Sequence, residues 1–157
     1  MNFKTVTPFA RRFAERLFSA YPEWADLAVA GCSLHGENAL LITVSSPVSA
    51  DLSICAIDEI EVSWDVWHIH SSDLVWDRED EQREIQATLD EIAHLLSERT
   101  IIAVAMKGDQ WKMSTSLLAD DENAWLNFIT TPGDFDRCYA RSWTGAKDRT
   151  WSAAQAR

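Results

Sequence analysis

The chain has 157 residues, 46% of them hydrophobic, with 25 acidic and 14 basic side chains and a formal net charge of −11. That length and apolar content support a single globular domain over 1–157 with a substantial core and exclude a disordered tail, and no linker, repeat or low-complexity tract divides it. The charge is concentrated: residues 51–98 hold 14 acidic and 2 basic side chains, a net of −12, while the other 109 residues hold 12 basic and 11 acidic ones. A focused acidic field holds a basic partner and repels nucleic-acid phosphates and anionic lipid, so neither nucleic acid nor a membrane is expected as a partner.

Thr7-Pro8 offers a capping hydroxyl followed by proline at the first helical position, and Phe9, Phe13, Leu17 and Ala20 recur at helical spacing. A helix over 8–20 is predicted, with Arg11, Arg12 and Arg16 on its solvated face. Apolar runs at 39–45 and 52–57, separated by Ser-Ser-Pro-Val-Ser-Ala, predict two strands of one sheet. From Glu59 to His70 the period is two. Ile60, Val62, Trp64, Val66, His68 and His70 then share one face of a single strand, and Glu59, Glu61, Ser63, Asp65, Trp67 and Ile69 share the other.

Asp77 is the expected cap of a long helix whose first turns carry Glu79, Asp80, Glu81 and Glu84, where the helix dipole favours anions. Ile85, Leu89, Ile92, Ala93 and Leu96 form its docking stripe. Residues 100–106 and 110–118 predict a hairpin turning at Gly108-Asp109, with Trp111, Met113, Thr115 and Leu117 on one face. Asp120-Asp121-Glu122 opens a short helix containing Trp125, Phe128 and Ile129, and residues 137–143 and 150–152 form a last hairpin around Gly145. The order lacks strict β-α-β alternation, so the expected class is α+β: a twisted, mostly antiparallel sheet with the two longer helices on one face.

Cys32, Cys55 and Cys138, odd in number and set among small or apolar neighbours, read as buried thiols of a reducing compartment. Residues 1–20 have no apolar signal stretch, and no apolar run approaches the roughly 20 residues of a membrane helix. A soluble, cytoplasmic protein without a cofactor is expected.

His68-x-His70 is the motif closest to a metal site, because residues two apart on a strand point the same way, and Asp73 and His94 are its candidate companions. Two histidines with no further ligand at defined spacing are more simply read as neutral side chains at a core edge. Asp73, Asp77, Glu79, Asp80 and Glu81 hold enough carboxylates for acid–base work, yet crowding at a helix start is explained by capping and solvation. Ser33 and His35 lie in a turn-like Gly31–Gly36 segment, and no phosphate loop, nucleophile elbow or H-E-x-x-H occurs, so no catalytic residue is assigned. Trp67 beside Asp65, with Trp76 nearby, has the composition of an interface anchor ringed by carboxylates; the competing reading buries Trp67 beneath another element of the fold.

A strand ending in Trp67-His68-Ile69-His70, an acidic helix, the run from Ile101 to Trp111 and the terminal Arg141-Ser142-Trp143-Thr144-Gly145 form a layout over about 59–151. This layout resembles small bacterial immunity proteins of polymorphic-toxin and contact-dependent growth-inhibition systems. The resemblance implies a cytosolic inhibitor that binds the toxic domain of a cognate effector, often a nuclease with a basic cleft. On that reading the partner-binding residues are Glu59, Glu61, Asp65, Trp67, Asp73, Trp76, Asp77, Glu79, Asp80, Glu81 and Glu84. The alternatives are a small metal-dependent enzyme or metal-binding protein using His68 and His70, and an acidic adaptor or chaperone for a basic secreted protein. The basic residues Arg137, Arg141, Lys147 and Arg149 form either a second surface or an internal counterweight to the acids.

Overall fold

In the computed structural model, residues 6–32, 38–48, 50–75 and 80–152 are described, Cys32 by its backbone alone. Ser33, His35, Trp76, Asp77 and Glu79 lie outside the described residues. The chain divides into two compact units, 1–90 and 91–157, and its class is α+β with antiparallel sheets, as expected. The strands form two sheets where one was expected. Strands adjacent in sequence pair readily through short turns, but the acidic helix interrupts that run and each side closes its own sheet.

In the first unit, helix α1 (Pro8–Ala20) starts as predicted: the Thr7 hydroxyl oxygen accepts from the Ala10 N–H at 3.1 Å and Pro8 occupies the first turn. The same hydroxyl donates to the Ile57 carbonyl, tying the helix start to a strand end. Phe9, Ala10, Phe13, Ala14 and Leu17 are buried. A 3-10 turn over Pro22–Asp26 follows, with Tyr21 stacked on Trp24 at 4.5 Å.

The first sheet is a meander, β1 (Ala28–Cys32), β2 (Asn38–Val44), β3 (Leu52–Ala56), β4 (Ile60–Trp64) and β5 (Trp67–His70), in that spatial order. α1 packs on β2 and β3, and Leu40, Ile42, Leu52, Ile54, Ile60 and Val62 are buried on one face of the sheet. The opposite face carries two cross-strand rows, Val29-Leu41-Cys55-Glu61-His70 and Thr43-Ser53-Ser63-His68. β1 is not expected from the sequence, where Gly31–Gly36 suggests a turn leading into a strand. It is an edge strand, and Val29 is 58% exposed on it.

Helix α2 (Glu81–Leu96) leaves the first unit at Asp90. Its start runs beside α1, joined by Arg12 to Glu81 and by Arg16 to Gln86. Asp80 takes the capping position, accepting the Arg83 N–H at 3.1 Å on its side chain and the Glu84 N–H at 3.1 Å on its carbonyl. The buried stripe is Ile85, Thr88, Leu89, Ile92 and Leu95.

The second unit builds a sheet in the order β7-β6-β8-β9, from β6 (Thr100–Lys107), β7 (Gln110–Leu118), β8 (Arg137–Arg141) and β9 (Arg149–Ser152). Helix α3 (Glu122–Thr130) is capped by Asp121 and brings Trp125 and Phe128 onto a core of Ile101, Ala103, Ala105, Cys138 and Ala140. Gly108 turns the β6–β7 hairpin at φ 55°, a backbone shape that glycine adopts without penalty. Met113 and Leu117 pack on this core as the alternation predicts, but Trp111 does not. A bulge between Ala105 and Met106 places Lys112 as an extra residue on β7, so Trp111 faces Met106 across the opposite face and is 48% exposed.

Candidate functional site

The segment from Glu59 to His70 is a hairpin instead of one strand. Asp65 and Val66 form its two-residue turn, with Asp65 at φ 58°, a left-handed conformation that aspartate tolerates better than most residues. The turn reverses the alternation. Trp67 lies directly opposite Trp64, Ile69 opposite Val62, His68 opposite Ser63 and His70 opposite Glu61. Residues paired across antiparallel strands share a face, so Trp67 joins the core at 4% exposure and both histidines move to the outer face. The expectation of an exposed Trp67 anchor is thereby corrected: the hot-spot composition came from carrying one parity through a turn that lacks glycine.

The outer-face histidines sit edge to face, ring centres 5.7 Å apart. His70 Nδ1 lies 3.1 Å from Glu59 Oε1, and the Ser72 hydroxyl donates to Glu59 Oε2 at 3.1 Å, so Glu59 holds two partners at one end of the hairpin. Glu61 extends that group along the row toward Cys55, whose thiol is pushed above its ordinary value by burial and then by the Glu61 charge. Among the described residues no group of three or more His, Cys, Asp or Glu side chains has the arrangement a metal ion needs. His68 and His70 therefore have no third ligand among those residues.

The remaining acids separate into surface and interior. Asp65 is exposed at the hairpin turn, and Asp73 is exposed beyond the other end of β5, in a 3-10 turn over Ser71–Asp73. The exposed carboxylates Glu59, Asp65 and Asp73 thus lie at the two ends of the β4–β5 hairpin. Asp80 serves the helix cap and Glu81 is bound by Arg12. Glu84, expected at the surface, is 6% exposed and accepts the Ser71 hydroxyl, while Ser71 Oγ itself accepts the Ile60 N–H at 2.9 Å. Glu84 is a structural link between the start of β4 and the helix. Its heptad-like position beside Ile85 and Thr88 on the buried stripe was the signal available in the sequence.

The acidity remains segregated by unit. Residues 1–90 contain 16 acidic and 6 basic side chains, a net of −10, and residues 91–157 contain 9 and 8, a net of −1. In the second unit Lys147 and Arg149 bind Asp120 and Glu122 at 2.9 Å each, so part of the basic hairpin is neutralised inside its own unit. No helix among the described residues is long and apolar enough to cross a membrane. Comparison with protein-family models, with curated proteins and with solved structures returns no match.

Proposed function

We propose that the protein is an immunity protein, a cytoplasmic inhibitor that binds and neutralises a basic bacterial toxin. The observation that carries this reading is the −10 charge of the first unit, together with the exposed carboxylates Glu59, Asp65 and Asp73 around a hairpin whose outer face is polar. Such a surface accelerates encounter with a cationic protein and fixes its orientation through charged pairs. The tryptophans of the hairpin do not contribute an anchor, so recognition rests on carboxylates, on His68 and on the exposed hydroxyls Thr43 and Ser53 beside it. Glu84 and Trp67 hold the surface in place from within.

The test isolates partners of the tagged chain from the source bacterium at moderate salt, then measures affinity against ionic strength and protection from toxicity in co-expressing cells. One basic partner, held at nanomolar or tighter affinity and made harmless by the chain, supports the inhibitor. Several weakly held clients instead indicate an adaptor or chaperone. Affinity unchanged by the combined Glu61→Gln and Asp65→Asn substitutions removes this surface from the interface.

A further inference from the structure

The second unit contains a cavity of about 400 Å³ at the β8–β9 hairpin, within the size range of metabolite sites. Its wall is built by alternation. Arg137, Tyr139 and Arg141 occupy every second position of β8 and so project from one face, with the backbone positions of the two arginines about 13 Å apart along the strand. The pairing partners on that face are Met106 of β6 opposite Arg137, and Thr150 of β9 opposite Tyr139. Arg141 stands over the Tyr139 ring, 5.3 Å from its centre, which fixes both side chains.

The charges at the rim are unequally committed. Arg149 is held by the Ala119 carbonyl at 2.7 Å and by Glu122 at 2.9 Å, and Asp148 accepts the Ser142 N–H at 2.8 Å. Arg137 makes one long hydrogen bond among the described residues, to the Gly108 carbonyl at 3.4 Å, and the exposed Thr150 hydroxyl, diagonal to it across the β8–β9 pair and within reach of so long a side chain, makes none there. Among the charged residues that line the cavity, Arg137, Arg141 and Arg149 stand against Asp148 alone, and Arg149 is neutralised by Glu122. A planar, always-charged donor fork with spare N–H groups, beside a hydroxyl and in a concave site, is suited to binding an oxyanion in two-pronged fashion.

We propose that this cavity binds a metabolite-sized ligand through a phosphate or carboxylate group, with Arg137 and Thr150 as its direct donors. The test titrates the full chain at low ionic strength with pyrophosphate and with citrate by calorimetry, alongside Arg137→Gln, Arg137→Lys and the control Arg83→Gln. Saturable one-to-one binding is expected, weakened about tenfold or more by Arg137→Gln at unchanged melting temperature, partly restored by lysine, and unaffected at Arg83. Pyrophosphate binding more tightly identifies a phosphate ligand, and citrate binding more tightly identifies a carboxylate. Binding by neither probe, or equal weakening by Arg137→Gln and Arg83→Gln, overturns the proposal.

Discussion

Trp64 and Trp67 face one another across the first rung of the β4–β5 hairpin, and both are buried. The Trp64 indole also donates to the Ala50 carbonyl at 2.7 Å, so the pair anchors the hairpin to the start of β3. Trp67→Ala is expected to cost about 3–5 kcal/mol in chemical unfolding, the range for removing a large buried aromatic. A cost below about 1 kcal/mol would place Trp67 at the surface after all.

Asp65 holds a left-handed backbone in that hairpin's turn. Asp65→Gly should be neutral or stabilising by up to about 1 kcal/mol, whereas Asp65→Val should cost about 1–2 kcal/mol. Asp65→Asn removes the charge while keeping the turn, which makes it the variant to use when partner binding is measured. Equal stability of the glycine and valine variants would contradict the turn.

Glu84 closes a buried chain of hydrogen bonds, from the Ile60 N–H to the Ser71 hydroxyl to its own carboxylate. Glu84→Ala strands the Ser71 donor and should cost about 1–3 kcal/mol, while Glu84→Gln keeps an acceptor and should cost less. Urea midpoints of the two variants decide it, and the order alanine below glutamine below wild type is the expected one.

Glu98 follows α2 at φ 56°, where the Arg99 N–H bonds the His94 carbonyl at 2.9 Å and the Glu98 N–H bonds that of Leu95 at 3.1 Å, a left-handed helix stop. Its carboxylate is held below the ordinary value, first by the Thr144 hydroxyl, with the Thr144 N–H at 2.8 Å, Ser142 and the Lys147 charge adding to it. A depressed folded-state value means that this contribution is complete above the ordinary glutamate range near pH 4.5 and is lost as pH falls through the lower folded value. Glu98→Gln should flatten the acid limb of the stability curve, and Thr144→Val should do so partially. Glu98→Gly sets relief of the backbone against loss of the Thr144 anchor. Acid unfolding curves that superimpose for wild type and Glu98→Gln would exclude this linkage.

Much of the fold is readable because its signals are local. Thr7-Pro8 and the stripe from Phe9 to Leu17 define α1, and Gly108 marks the β6–β7 turn, since a cap, a period and a glycine act over a few residues. The hairpin turn at Asp65-Val66 escapes because it contains no glycine or proline and leaves an alternating apolar pattern on both sides. The same kind of slip occurs at Lys112, where one bulged residue inverts the face of Trp111. The sequence points to Asp77 as the cap of α2 and puts Asp80 in its first turn, whereas among the described residues it is Asp80 that bonds the Arg83 N–H. For the candidate surface, Glu59, Asp65 and Asp73 are exposed as their type suggests, whereas Glu84 is buried against expectation and Trp67 takes the buried one of its two readings, because burial depends on Ser71 and Trp64, partners 13 and 3 residues away.

The outer edge of β1, unpaired among the described residues, has a consequence for handling the protein. Val29 and Ala30 are exposed on it, preceded by Leu27, Glu23 and Asp26, also exposed. A bare strand edge with apolar side chains invites copies to join backbone to backbone, and mutual repulsion between strongly anionic molecules is what opposes it. That repulsion fades as the solution approaches the isoelectric point near pH 4.6. Turbidity and β-rich precipitate should therefore set in around that acidity before the fold itself melts, and Val29→Lys should keep the solution clear.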